Sequence, residues 1–124
     1  MTDPRRTKAL TLLDTLFAGV DTDSVKMPAQ LSAYTIDHVF GDLWQHEGLS
    51  LQQRSLVTCT VLVALNREHE QVLHFQGARN LGIERSTLEA MITHVAHYAG
   101  WPNAVTASRG LNEVWPELDD EPLE

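Results

Sequence analysis

The chain has 124 residues, a formal net charge of −8 and 43% hydrophobic residues, which suits one globular domain. No apolar run is long enough to predict a membrane span, and a negative chain without a basic stripe is a poor partner for nucleic acid. Cys59 is the only cysteine, which excludes an internal disulfide or a CxxC motif. With no apolar block typical of a secretory signal, the expected location is the cytoplasm.

The first part of the chain predicts two amphipathic helices joined by a loop. Apolar residues recur every three or four positions from Lys8 to Phe17, which predicts the first helix. Gly19 to Lys26 is typical of a loop, and a second helix is predicted from Pro28 to Gln45. The expected core stripe of this second helix consists of Leu31, Thr35, Ile36, Val39, Phe40, Leu43 and Trp44.

The third predicted helix runs from Leu51 to Leu65 and is apolar on nearly every side after its first turn. Ser50 and Gln53 have the spacing of a capping box at its start. A helix that is apolar all round is normally covered on every side. In a domain this small, we expect another subunit to supply part of that cover.

Two further helices are predicted to end at glycines. The fourth runs from Arg67 to Leu81 before Gly82, and the fifth from Arg85 to Ala99 before Gly100. Glycine adopts the left-handed backbone conformation that commonly follows a helix, so both boundaries have a physical reason.

The sixth predicted helix starts at Pro102, which suits a first turn, and Pro116 ends it. Residues 117–124 form an acidic tail. No alternation typical of strands occurs, so the sequence predicts an all-α fold of six helices in a single domain. The expected buried stripe of the sixth helix consists of Val105, Ser108, Leu111, Val114 and Trp115.

Glu70 and His74 are the most suggestive pair for catalysis. Their four-residue spacing places both side chains on one face of the fourth helix. A carboxylate beside an imidazole is expected to raise the imidazole pKa and to create a general acid or base near neutral pH. The alternative is an exposed helical ion pair, although Gly77 and Ala78 indicate close packing or a pocket near this face.

Three other side chains have both a functional and a structural interpretation. Arg54 can bind a carboxylate through its guanidinium, or it can form an ordinary surface ion pair. His94 is expected near the core stripe, close to Met91 and Tyr98, where a structural histidine is the simpler interpretation. Cys59 is expected to be a small buried apolar residue.

The fourth and fifth helices carry enough candidate ligands for a metal ion in number alone. Only one carboxylate–histidine pair has helical spacing, and no second helix bears a matching carboxylate, so no metal is predicted. The candidates are Glu68, His69, Glu70, His74, His94 and His97.

A series of motifs over residues 41–107 closely resembles the carboxymuconolactone decarboxylase family. Read in order, they are G-x-x-W, G-L, R-S-L-V-T, A-L-x-R-x-x-E-x-x-x-H, A-x-x-x-G and H-x-x-x-Y-A-G-x-P-x-A. The matching residues are Gly41, Trp44, Gly48, Leu49, Arg54 to Thr58, Ala64, Leu65, Arg67, Glu70, His74, Ala78, Gly82, His94, Tyr98 to Gly100, Pro102 and Ala104.

The resemblance implies a homo-oligomer, a trimer or hexamer, that decarboxylates a small carboxylated unsaturated lactone during aromatic compound catabolism. It implies that His74 acts as general acid or as donor to the developing oxyanion, and that Glu70 orients it. Arg54 is then the anchor for a substrate carboxylate, and His94 a further substrate-binding residue. No cofactor is expected, because the lactone itself accepts the electron pair.

The similar alkyl hydroperoxidase D-like proteins carry C-x-x-C-x-x-x-H, whereas Arg67 and Glu70 occupy the two cysteine positions here. A cysteine-dependent peroxidase is therefore excluded. Residues 1–27 depart from the family pattern and leave the substrate open. A related lactone isomerase, hydrolase or dehydratase is the alternative activity, and a non-catalytic oligomeric binding protein is the alternative without catalysis.

Overall fold

A computed structural model of the chain describes residues 3–22 and 26–118, and within these residues it contains helices and no strand. The predicted all-α class is confirmed. Residues 1–2, the middle of the predicted loop at 23–25 and the acidic tail beyond 118 lie outside the described residues. The six α-helices are α1 (Pro4–Leu16), α2 (Ala29–Tyr34), α3 (Leu51–Ala64), α4 (Glu68–Asn80), α5 (Arg85–Ala99) and α6 (Trp101–Val114).

Local capping explains where α1 and α3 begin. The Asp3 carboxylate accepts a hydrogen bond from the backbone N–H of Arg5 at 2.9 Å, and Pro4 occupies the first helical position. As a result, α1 starts one turn earlier than predicted. The predicted capping box is confirmed: Gln53 N donates to Ser50 Oγ at 3.1 Å, and Ser50 N donates to Gln53 Oε1 at 2.8 Å.

The prediction of one continuous helix from Pro28 to Gln45 is wrong. The chain leaves α2 into a π-helical stretch, Thr35–Phe40, and a 3₁₀ turn, Leu43–Gln45, follows after Gly41. A π-helix has more residues per turn than an α-helix, so side chains drift away from the face that a 3.6-residue period predicts. Leu43, which follows the π-helical stretch, is exposed, and Leu31 in α2, ahead of that stretch, is exposed as well.

Two apolar clusters form the interior. The larger joins α3, α4, α5 and α6, and the smaller joins α1 to the π-helical stretch and the 3₁₀ turn. The fully or almost fully buried members of the smaller cluster are Ala9, Leu12, Leu16, Phe40 and Trp44.

The predicted stripe of α6 is confirmed toward the end of the helix, where Leu111, Val114 and Trp115 are buried, but it is wrong in the first half. Val105 and Ser108 are exposed, whereas Ala104 and Ala107 face the interior. Small residues let α6 approach α4 closely, and a Cβ added at Gly110 would lie 3.4 Å from Val72 Cγ2. Favouring the larger side chains gave the wrong face in this first half, because close helix packing there depends on the small ones.

The third helix is not covered on every side within one chain. Val57, Val61 and Leu65 are 50%, 48% and 62% exposed, and they follow one another at four-residue spacing along one face of α3. This face is the part of the structure most relevant to the predicted assembly.

Candidate active site

The candidate site lies on α3 and α4, which pack side by side as an antiparallel pair. Three contacts fix their register: Gln52 Nε2 donates to Leu81 O at 3.4 Å, Cys59 Sγ to His74 O at 3.4 Å, and Gln71 Nε2 to Leu62 O at 3.1 Å. The two residue numbers add up to 133 in all three pairs. The same antiparallel alignment therefore holds along both helices. His74 therefore lies level with Cys59.

His74 is partly buried, and its surroundings are mainly apolar. The Phe17 ring, just beyond α1, meets the imidazole edge to face with 5.5 Å between ring centroids. Nδ1 of the imidazole is buried and has no hydrogen-bond partner among the described residues. A buried polar atom without a partner in a native protein calls for an explanation, and an absent ligand or water is one of the usual ones.

The expected rise in the His74 pKa is wrong in sign. Burial lowers the pKa below the ordinary value of 6.5, and the negative charge of Glu70 opposes this effect without overcoming it. Burial disfavours the charged imidazolium, while a carboxylate kept in solvent exerts only a screened attraction. The imidazole is therefore neutral at neutral pH.

Glu70 shares the α4 face of His74 but is exposed to solvent. Within the described residues, Glu70 acts on the imidazole through its charge and makes no hydrogen bond to it. The close packing predicted from Gly77 and Ala78 is confirmed, since both are buried and a Cβ at Gly77 would lie 2.8 Å from Leu16 Cδ1. This face of α4 is thus covered by the end of α1.

Arg54 is partly buried on α3, one turn after the helix begins. Its Nη2 donates to the backbone oxygen of His46 at 3.0 Å, and its Nε is buried with no partner in the part of the chain that the structure describes. The surface ion pair considered for Arg54 is absent from the described residues. Arg54 lies five residues before Cys59, and Cys59 is level with His74. The backbones of Arg54 and His74 are therefore offset by about 7.5 Å along the helix axis.

His94 lies on the exposed side of α5, not near the core as predicted. Its ring stacks on the Tyr98 ring, with 5.0 Å between centroids, and Tyr98 is itself exposed. His97 is also exposed, and its Nδ1 lies 2.8 Å from Thr93 O. No contact among the described residues joins either histidine to His74, so the substrate-binding role of His94 stays a prediction.

Buried polar side chains beside the candidate pair escaped the sequence reasoning. Ser55 and Gln71 are almost completely buried, and Gln71 Oε1 has no hydrogen-bond partner within residues 3–22 and 26–118. Both had the sequence signal of a polar residue within an apolar stripe. Cys59 is buried as predicted, and burial raises the pKa of its thiol to about 12, which keeps the thiol protonated at neutral pH.

Two open clefts lie beside the first turns of α1, and neither is lined by the candidate residues. One lies between Pro4, Lys8 and Glu47, and the other between Arg5, Tyr34 and His38.

Within the described residues, no three histidine, cysteine or acidic side chains are grouped so that they could hold a metal ion. No helix in this part of the chain has the length and apolar character needed to cross a bilayer.

Comparison with known proteins agrees with these features. A 4-carboxymuconolactone decarboxylase of Acinetobacter baylyi is 37% identical over 83 residues, which are 67% of this chain and 62% of that protein. A nitrosuccinic acid decarboxylase of Metarhizium robertsii is 34% identical over 68 residues, 55% of this chain and 48% of that protein. The chain thus spans about half to three-fifths of the length of these curated relatives. The model of the carboxymuconolactone decarboxylase family matches residues 29–113, and the chain therefore belongs to that family.

Proposed function

We propose that the protein decarboxylates a small carboxylic acid whose neighbouring group accepts the electron pair, with a 4-carboxymuconolactone-like lactone as the first candidate. The observation that carries the proposal is a pair of unpartnered polar atoms on packed helices, Nδ1 of His74 and Nε of Arg54. The family and the two named decarboxylases support the reaction class. A lactone acid and nitrosuccinic acid share a carboxylate placed next to an electron-withdrawing group.

The proposed reaction breaks the bond between the substrate carbon and its carboxylate, and carbon dioxide leaves. In a lactone, the electron pair left behind moves through the double bond to the carbonyl oxygen and forms a dienolate. A proton added to carbon then completes the reaction. Because the substrate supplies the electron sink, this step needs no cofactor.

His74 is proposed to act on the oxygen that gains negative charge. Of the two roles considered, oxyanion stabilisation is favoured over proton donation, since the lowered pKa of His74 keeps the imidazole neutral. A neutral imidazole still offers one N–H as donor, and the partly buried site strengthens that hydrogen bond. Such a donor contributes about 10²–10³-fold to a rate when it meets the transition-state oxygen.

Arg54 is proposed to anchor a substrate carboxylate. The −8 charge of the chain opposes the approach of a dianionic substrate, so a local cation is needed. Nε of Arg54 lacks a partner, and a carboxylate oxygen would satisfy it. Glu70 is proposed to tune the imidazole through its charge, as a positioning residue and not as a proton donor to the substrate.

The partner is proposed to be a second copy of the chain, in a trimer or hexamer. The exposed apolar face of α3 supports this, together with exposed aromatic and aliphatic side chains at the α5–α6 junction. These side chains are Tyr98, Trp101 and Val105. A location in the cytoplasm and a place in aromatic compound catabolism stay predictions.

The test is to incubate the purified protein with 4-carboxymuconolactone and, separately, with nitrosuccinic acid, and to measure carbon dioxide release. The proposal expects release from at least one of them. Consumption of the lactone without carbon dioxide would contradict it in favour of an isomerase, hydrolase or dehydratase. Thermal stabilisation by the lactone without any turnover would contradict it in favour of a binding protein.

A further inference from the structure

Phe17 contacts the proposed catalytic imidazole, although it lies outside the family match. The match begins at residue 29, and Phe17 follows the end of α1. Its ring meets the His74 ring at 76° with 5.5 Å between centroids, and it also meets the Phe40 ring at 82° with 6.0 Å between centroids. An aromatic side chain from outside the family match thus forms one side of the His74 environment.

Hydrogen bonds hold the backbone on both sides of Phe17. Asn80 Nδ2, at the end of α4, donates to Leu16 O at 3.0 Å and to Ala18 O at 2.9 Å. Leu16 is fully buried, and its side chain lies so close to Gly77 that even a methyl group there would clash. The residue that carries the ring is therefore fixed directly to the helix that carries His74.

A second attachment fixes the other end of α1. The Arg6 guanidinium binds the Asp37 carboxylate in the π-helical stretch through two hydrogen bonds, Nε to Oδ1 at 2.8 Å and Nη2 to Oδ2 at 3.0 Å. Bidentate pairs of this kind define orientation as well as distance. With both ends fixed, α1 holds Phe17 in one place and does not leave it to move freely over the imidazole.

The position of Phe17 has two physical consequences. Its ring keeps water from one side of the imidazole, and its bulk limits the space that a substrate group can take there. On α4, Glu70 acts on the imidazole through its charge, and on α3 the Cys59 thiol lies against the His74 backbone. Residues 16–18 add no charge. From the α1 side, therefore, the wall is purely apolar.

We propose that Phe17 is a specificity-determining residue, which excludes water from His74 and sets the size of the substrate group admitted beside it. The size-limiting role rests on the proposed function, because it requires a substrate. The exclusion of water from the imidazole does not rest on it. The alternative is that Phe17 is a core residue with no role at the site, because it also packs against the smaller apolar cluster.

The first test measures access to His74 without any substrate. Diethyl pyrocarbonate acylates neutral imidazole, and mass spectrometry identifies the modified histidine. Phe17→Ala and Phe17→Leu are compared with Leu12→Ala, which removes a buried side chain of the same helix and the same cluster. All rates are taken where each variant is folded by circular dichroism.

We expect His74 to react several-fold faster in Phe17→Ala than in the parent, with Phe17→Leu between them and Leu12→Ala close to the parent. Equal rates in Phe17→Ala and Leu12→Ala would overturn the proposal, because loss of core packing would then explain the effect. This result does not depend on turnover, so it separates a failure at Phe17 from a failure of the proposed decarboxylation.

The second test uses the substrate that the decarboxylation assay identifies. For each protein, kcat/KM for a ring-methylated analogue is divided by kcat/KM for the unmethylated substrate. This ratio should be about tenfold or more higher in Phe17→Ala than in the unmodified protein, because a methylene group in an apolar pocket changes discrimination by about this factor. Leu12→Ala should leave this ratio unchanged. A ratio unchanged in Phe17→Ala would show that the ring does not border the substrate and would overturn the size-limiting role.

Discussion

Replacing Gly41 with alanine should weaken the attachment of α1 to the rest of the protein. A Cβ at this position would lie 2.5 Å from Arg5 O, 2.6 Å from Asp37 O and 2.9 Å from Arg5 C. Real Cβ atoms essentially never come within 3.0 Å of another atom, so the Arg5 carbonyl must withdraw by at least 0.5 Å. The obstacles are backbone atoms on both sides, and no side-chain rotation can relieve them.

The expected cost follows from this geometry. Overpacking a well-packed site costs about 1–3 kcal/mol, while the loss of glycine's flexibility in the unfolded chain returns about 0.4–1 kcal/mol. We therefore expect Gly41→Ala to lose about 1–2 kcal/mol of unfolding free energy. Gly48→Ala is the matched control, because its added Cβ would have His46 Nδ1 at 3.8 Å as its one close neighbour. It should be neutral or slightly stabilising.

Urea unfolding followed by circular dichroism, at one fixed protein concentration, measures both variants. A fixed concentration is needed because an oligomer's stability depends on it. If Gly41→Ala unfolds at the same urea concentration as Gly48→Ala, the close approach of α1 to the π-helical stretch does not exist in solution. The account of how Phe17 is held would then fail as well.

Four further outcomes are expected. Glu70→Gln should lower the pKa of His74 further in an NMR titration of the imidazole, because it removes the charge that raises this pKa, and Glu68→Gln should change it less. The pKa of His74 in the folded protein lies below 6.5, so near that pH the folded state binds fewer protons than the unfolded state. The free energy of unfolding should therefore be unaffected above pH 6.5 and should fall as the pH drops from 6.5 toward the folded pKa. Unfolding curves of His74→Gln should lack this loss. Arg54→Met should raise KM by about 10- to 100-fold with a smaller effect on kcat, as expected for a charge-assisted hydrogen bond, and an unchanged KM would indicate a structural arginine. Val61→Asp should lower the mass measured by light scattering on a size-exclusion column, and an unchanged mass would exclude this face of α3 from the interface.

Local signals in the sequence predicted most helix boundaries correctly. The capping box at Ser50 acts within four residues, and the glycines at 82 and 100 have positive φ values of 85° and 109°. The break after Tyr34 was not predictable in this way. Gly41, at the end of the π-helical stretch, lies against the Arg5 backbone, and these two residues are far apart in sequence and close only in the folded protein.

The helix face that carries Glu70 and His74 was predictable from the sequence, but its electrostatics were not. The spacing of Glu70 and His74 correctly placed both on one face of α4. It did not predict that Phe17 covers the imidazole, since that contact joins two separate helices. Burial decided the direction of the His74 pKa shift, so the effect of a neighbouring carboxylate alone gave the wrong sign.

The most direct test compares kcat/KM for carbon dioxide release from 4-carboxymuconolactone by the parent protein and by His74→Gln. Both proteins must be folded and in the same assembly state. We predict a loss of about 10²–10³-fold, the usual effect of removing one donor to a transition-state oxyanion. A folded His74→Gln variant that releases carbon dioxide at the parent rate would contradict the proposal that this imidazole serves the reaction.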